Sequence, residues 1–218
     1  AADTSVLDGL SDELGKAVDA AREGAWAAAG REVNLSSPKQ LQELLFDHFG
    51  LPKTKKTKTG YTTNAEALAD LWAKTEASTG GAGHDFLGFL LTHRDRIKLK
   101  QMVDSLSATV ASDGRIHTTF SQVAAATGRL ASSDPNLQNI PARSADGMRI
   151  RGAFVAGEGF ESLMSADYSQ IEMRLMAHLS GDEALIEAFN SGEDLHRTMA
   201  SMVFGTPVAE VSAEERSR

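Results

Sequence analysis

The sequence predicts an α+β fold, mainly helical in its first part and mixed in its second. Three features carry that prediction. Apolar residues recur at three- and four-residue intervals through most of the first 110 positions, the spacing that lines one face of a helix. From about Ser112 the pattern shortens to alternation around glycine turns, as strands require. Helical spacing then returns, with Ile171, Leu175 and Leu179 four apart. A helical projection on a mixed body follows, with the change near residues 80 to 90.

The elements follow in order. Val6, Leu7, Leu10, Leu14 and Val18 space a long amphipathic helix over the first 30 or so residues, with Asp3 or Thr4 at its cap. In NLSSPKQLQELLFDHFG, Ser36, Ser37 and Pro38 signal a start, Leu41, Leu44, Leu45 and Phe49 form the apolar face, and Gly50 signals a stop. LPKTKKTKTGYTT reads as a flexible, polar loop. NAEALADLWAKT reads as a short helix, ASTGGAG as a breaker, and HDFLGFLLTHRDRIKLKQMVDSLSATV as a long helix. SDG marks a turn and RIHTTF alternates as a strand, while RGAFVAGEGFESLMSADY reads as two strands joined by a turn from Gly157 to Gly159. QIEMRLMAHLS returns to a helix. No internal repeat is present.

Composition narrows the function. The length of 218 residues is near the size at which one domain becomes two. An apolar share of 41% and a charged share of 24% exclude a chain disordered throughout. No apolar run approaches the roughly 20 residues of a membrane helix. The N-terminal stretch AADTSVLDGLSDELGKAVDAAREG lacks the basic flank and apolar middle of a signal peptide, so a cytoplasmic protein without a membrane partner is expected. The absence of cysteine excludes disulfides, zinc–thiolate sites and thiol nucleophiles. Any metal must then sit on oxygen or histidine ligands, and oxygen favours magnesium, manganese or calcium.

A net charge of −8 speaks against a uniformly basic nucleic-acid binder. The basic residues are nevertheless grouped. Lys53, Lys55, Lys56 and Lys58 alternate with small polar residues, a pattern that suits a row of phosphates and a solvated loop alike. Arg94 and Lys98, four apart on the long helix, share a face and carry the same two readings.

The stretch SADYSQIEMRLMAHLSGD sets Asp167 where a strand is expected to hand over to a helix. A sheet holds such a carboxylate rigidly while leaving it open to a cleft. Metal-assisted phosphoryl transfer uses two divalent ions about 3.5 to 4 Å apart on carboxylate and carbonyl oxygens, a role Asp167 and the Tyr168 carbonyl would fill. Asp167 or Ser169 would equally cap the first turn of the helix, and one acid is not a metal site. Spacing leaves both readings open. Likewise Asn136 after Pro135 suits an ordinary turn, and His196 suits packing on a helix.

ADYSQIEMRLMAHLSGD closely resembles the first carboxylate motif of the bacterial DNA polymerase I family, the family A DNA polymerases. AAATGRLASSDPNLQNIP resembles a second motif upstream of it, with GRIHTTF before and EDLHRTMASMVFG after. The similarity extends to NLSSPKQLQELLFDHFGLPKTKKTKTGYTT and so covers essentially the whole chain.

The resemblance implies a right hand of palm, fingers and thumb. Residues 1–85 correspond to the thumb with a lysine-rich tip at 53–58, and 86–218 to the first part of an antiparallel-sheet palm holding the 165–182 motif. It implies a monomeric, bacterial, nucleoid-associated DNA-directed DNA polymerase of replication and repair. Such an enzyme extends the primer 3′ hydroxyl on primer-template DNA with deoxynucleoside triphosphates by two-metal phosphoryl transfer. Asp167 resembles the catalytic aspartate on both Mg2+ ions, with Mn2+ as a substitute, and the Tyr168 carbonyl helps at the nucleotide-binding ion. Glu172 resembles the residue that crowds the sugar 2′ position and rejects ribose by overlap, and Gln170 lies beside it. His196 and Arg216 resemble residues on the incoming triphosphate.

Arg129 resembles the arginine at the primer-terminus minor groove, and Asn136, Gln138 and Arg143 match positions along the DNA there. Minor-groove acceptors are nearly the same for every correct base pair, so donors aimed at them test pairing without demanding a sequence. Arg94 and Lys98 fall where the family's arginine and lysine touch DNA. The lysine loop falls at the thumb tip, which turns its reading toward phosphate tracking.

The sequence stops at VSAEERSR, where the family's fingers helix begins, so the fingers and the later His-Asp-Glu motif are not in it. With one catalytic carboxylate this piece is expected to be inactive alone. The alternative is a non-catalytic module that binds primer-template duplex. A truncated palm is also expected to expose an apolar sheet edge.

Overall fold

Helix α1, Thr4–Ala29, begins where Asp3 Oδ1 accepts hydrogen bonds from the Ser5 and Val6 amides at 3.0 and 3.3 Å. This and every later element come from a computed structural model that describes residues 1–58, 60–76, 81–142, 144–192 and 194–217. The chain forms two compact units, Ala1–Leu163 and Met164–Arg218. The fold is α+β: helices dominate, with two small antiparallel sheets among the described residues.

In the first unit α1 buries Leu7, Leu10, Leu14, Val18, Ala21 and Ala25, a continuous stripe at spacings of three and four. Its partner is α4, Ala82–Ala108, which contacts it along most of its length. Ser11 meets Asp104 and Asp8 meets Ser107, while Gly24 lies against Phe89, so the two helices run antiparallel. A Cβ at Gly24 would overlap the Phe89 ring as it stands, so glycine lets that ring lie directly against α1. The half of the stripe made of alanines lets bulky α4 residues such as Phe86 and Leu90 close in.

Helix α2, Pro38–Gln42, starts on Ser37 with proline in its first turn, as expected. It runs on into a π-helical turn, Glu43–His48, closed by the Phe49 amide on the Leu44 carbonyl at 2.9 Å. The wider turn shifts the apolar face: Phe46 is buried beside Leu44 and Leu45, and the expected Phe49 is only half-buried. Helix α3, Ala65–Glu76, packs on α4 and adds Leu68 and Leu71 to the same cluster. A second cluster joins Leu7, Leu10, Leu99 and Val103 to Ile150 of α5, Ala145–Gly152. α5 is tied down at its surface by Arg149 to Glu13 and by Asp146 to Arg96.

The lysine stretch is a docked hairpin. β1, Lys56–Thr57, pairs antiparallel with β2, Gly60–Tyr61, and Gln42 Oε1 accepts from the Tyr61 amide at 2.8 Å. Gly60 has φ 127°, and a Cβ there would overlap the Gln42 side chain. The expectation of a flexible loop is thus corrected, because a side chain of α2 anchors its return strand.

RIHTTF contributes only its end to a strand: β3, Thr119–Ser121, pairs with β4, Ala131–Ser133. The two strands expected in RGAFVAGEGFESLMSADY are absent among the described residues. Arg151 and Gly152 complete α5, which Ser144 caps, and Phe154 makes an isolated bridge to Ala2. Alternation yields a strand only where a second segment supplies the ladder, and none of the described residues pairs with 160–168. Phe160, Leu163 and Met164 are exposed, though not on a sheet edge.

The second unit comprises α6, Ile171–Ser180, α7, Glu183–Ser191, α8, Leu195–Phe204, and the short α9, Ala213–Ser217. Asp182 and Asp194 cap α7 and α8. Arg174 of α6 lies 4.5 Å over the Phe189 ring of α7. Ala177, Leu195, Ala200 and Val211 are its buried apolar residues among those described. The expected thumb–palm division at 85/86 falls inside α4, and among the described residues no helix is long and apolar enough to cross a membrane.

Candidate functional site

The functional residues proposed from sequence fall into four groups. On the hairpin, Lys55, Lys56 and Lys58 are exposed, and Lys53 Nζ lies 5.1 Å from the centre of the Tyr61 ring. Arg94 is half-buried and donates to the Thr63 carbonyl, which ties α4 to the exit of the hairpin. Burial moves its pKa down from the usual arginine value. Arg94 therefore supports the basic tip from below, and Lys98, one turn on, is exposed.

The second group is built on β3 and β4. Ser132, buried in β4, accepts from the Leu137 amide at 3.1 Å, and Thr118 bonds both Ser132 Oγ and the Pro135 carbonyl. This clasp fixes the loop that follows. Asn136 Oδ1 accepts from the Gln138 amide at 2.9 Å, the turn role its sequence allowed. Gln138 Nε2 in turn donates to the Leu130 carbonyl at 2.9 Å, which sets Gln138 beside the TGR turn of Arg129. Arg129, Asn136 and Gln138 are all exposed and are brought together. Arg143 lies outside the described residues.

The third group is the stretch before α6. Asp167 is exposed, as is Tyr168 at 78%. It stands on irregular backbone, which corrects the expected strand-to-helix handover on its strand side. Gln170 precedes α6 with φ 53° and makes no side-chain cap, and Glu172 is exposed in the first turn. Among the described residues no group of three or more His, Asp or Glu is placed to hold a metal ion. One carboxylate and a carbonyl do not make the oxygen set that a pair of hard divalent ions takes, so these residues alone do not fit the expected Mg2+ or Mn2+ pair.

The fourth group joins α8 to α9. His196 is exposed in the first turn of α8. Arg216 Nε bonds Asp194 Oδ2 at 2.7 Å, and Asp194 Oδ1 accepts from the Arg197 amide at 3.3 Å. The Arg216 hydrogen bond, first, and the amide bonds of the cap hold the Asp194 carboxyl below the usual carboxylate range. Asp194 and the hairpin anchor Gln42 were not singled out in the sequence. An acid just ahead of a helix is a legible cap signal; its bond to a residue 22 positions away is not.

A family model described as DNA polymerase family A matches residues 4–218. The chain belongs to DNA polymerase family A. This family A chain is 58% identical over 218 residues to DNA polymerase I of Mycobacterium tuberculosis (strain ATCC 25618 / H37Rv), covering 100% of the chain and 23% of that relative. It is 47% identical over 219 residues to DNA polymerase I of Pseudomonas aeruginosa, covering 98% of the chain and 23% of the relative. Among solved structures it is similar to the POL domain of Pol1 from M. smegmatis in complex with DNA primer-template and dNTP. That likeness has 58% identity and a TM-score of 0.90, over 100% of this chain and 37% of the other. The chain thus spans about a quarter of the length of the curated relatives it matches.

Proposed function

We propose that this chain is the thumb, residues 1–85, and the front of the palm, 86–218, of a DNA-directed DNA polymerase that adds deoxynucleotides to a primer 3′ hydroxyl. The observation that carries the reading is the family A fold shared over the whole chain with a polymerase domain held with primer-template and dNTP.

The residues have physically distinct parts in it. The lysine hairpin, with Lys98 behind it, meets backbone phosphates, so its contribution is sequence-blind and weakens as salt rises. Arg129, Asn136 and Gln138, gathered on one loop system, present donors to minor-groove acceptors common to correct pairs. Arg143 belongs to this set by sequence. Glu172 excludes ribose by occupying the 2′ position, beside Gln170. His196 and Arg216 bind the triphosphate. Asp167 and the Tyr168 carbonyl supply part of a divalent-ion site whose remaining oxygen ligands lie outside the described residues. The parent acts as a monomer in bacterial replication and repair, in the cytoplasm at the nucleoid.

The single carboxylate favours a second reading for the chain taken alone, that of a module which binds primer-template duplex without chemistry. Primer extension with Mg2+ separates the two, comparing this chain, a polymerase chain continued past Arg218, and that longer chain with Asp167→Ala. Extension is expected only in the longer, Asp167-intact protein. Extension by the short chain would overturn the role given to the missing ligands, and extension surviving Asp167→Ala would remove Asp167 from catalysis.

A further inference from the structure

Arg216 differs from Arg149 in how little of its guanidinium is engaged. Arg149 gives both Nη groups to the two oxygens of Glu13, at 2.8 and 2.6 Å. Arg216 bonds Asp194 through Nε alone, and its Nη groups take no other hydrogen-bond partner among the described residues. A guanidinium held at Nε keeps a two-pronged Nη edge, the geometry that matches phosphate oxygens.

Asp194 divides its own oxygens between two tasks. Oδ1 caps α8 through the Arg197 amide, and Oδ2 holds Arg216. The carboxyl is kept ionised well below neutral pH by that arginine first of all. One side chain therefore ties the guanidinium of α9 to the first turn of α8, where the exposed His196 sits.

We infer that Asp194 is a positioning residue for nucleotide binding, clamping Arg216 by Nε so that its Nη edge and His196 meet one triphosphate. This rests on the triphosphate reading of Arg216 and His196 proposed above. An arginine already held gives up less side-chain freedom when the phosphate arrives, so the clamp raises affinity without adding a contact to the nucleotide.

Asparagine separates the two tasks of Asp194. It caps a helix as well as aspartate does, but it places an NH2 donor where Oδ2 met the Nε–H donor. The test is single-turnover incorporation by the polymerase chain continued past Arg218, measuring dNTP Kd and maximal rate. Four proteins are compared: the parent, Asp194→Asn, Arg216→Ala and the double variant. Asp194→Asn is expected to raise Kd about 5- to 10-fold with the maximal rate within about twofold. In the Arg216→Ala background the same change is expected to move Kd by less than about twofold, because the clamp has nothing left to hold. An unchanged melting temperature for Asp194→Asn reports that the cap is intact.

A tighter Kd, an unchanged Kd, or an equal rise in both backgrounds would overturn the clamp. If Arg216→Ala itself leaves Kd unchanged, the triphosphate reading fails, and the inference falls with it for that separate reason.

Discussion

The two units of the chain solve the problem of stability differently. The first closes two apolar clusters around α1 and α4, with Leu7, Leu44, Phe86 and Leu87 fully buried. The second leaves Tyr168, Leu179, Met199 and Val203 more than half exposed and, among its described residues, buries the apolar Ala177, Leu195, Ala200 and Val211. Its helices are instead defined at their ends, by Asp182 and Asp194 at the N-termini and by left-handed glycines at the C-termini of α6, α7 and α8. Caps fix where a helix starts and stops but contribute only about 1 kcal/mol each. The comparison teaches that the carboxylate motif is carried by the unit whose shape is written locally, while the basic tip is carried by the unit with its own core.

The largest expected effect that could break this contrast is in the core. Phe86→Ala should lower the stability of the first unit by about 3 to 5 kcal/mol, whereas Leu179→Ala in the second should stay within about 0.5 kcal/mol. Chemical-denaturation midpoints of the two variants measure the difference, and equal losses would remove it.

A smaller effect sharpens the contrast through pH. His93 is buried in the seam between α1 and α4, and its Nδ1 has no hydrogen-bond partner. Burial first, then the charges of Arg22 on α1 and Arg94 on α4, hold its pKa below the usual histidine value, with Asp19 pulling the other way. The folded pKa thus lies below the unfolded one. Above the unfolded value, about 6.5, both states are neutral and stability is whole. As pH falls through that value the unfolded chain takes up the proton first, and stability is lost. The denaturation midpoint of the first unit should therefore drop between about pH 7 and pH 5, and His93→Leu should flatten that drop. A variant that keeps the full slope would show that His93 is not its source.

The smallest effect concerns the surface ties of α5. Arg149 and Glu13 form a two-pronged pair at an exposed position, which holds the Glu13 carboxyl below its usual range. Arg149→Gln should lower the melting temperature of the first unit slightly at low salt and hardly at all at high salt, since exposed pairs are screened. A shift that persists at high salt would assign α5 a packing role for the Arg149 stem instead.

Helices α1, α3 and α4 were legible because their apolar stripes repeat over several turns and their starts or stops lie beside them. The face of α2 slipped by the π turn, since a one-residue widening leaves no mark in the apolar spacing. The hairpin Lys56–Tyr61 is not legible in the sequence because two-residue strands show no alternation, and its order comes from Gln42, 19 positions from Tyr61. In the site, the stretch from Asp167 to Glu172 was legible as a motif. The adjacency of Arg129 and Gln138 was legible only as family likeness; a hydrogen bond from Gln138 to Leu130 creates it.

The sequence by itself determined helices α1, α3, α4 and α6, the starts of α1 and α2 at Asp3 and Ser37, the absence of thiol chemistry and, through its motifs, membership of a polymerase family. The tertiary structure alone decided the antiparallel pairing of α1 with α4, the docking of the lysine hairpin, and which cations are committed to the fold. Arg94 is bound to Thr63 and Arg149 to Glu13, while Lys56 and Lys58 remain exposed and Arg216 is held by one edge. The reason is one of range. Caps and periodicity act within one or two turns of chain and are written there, whereas partners tens of residues apart are chosen by packing.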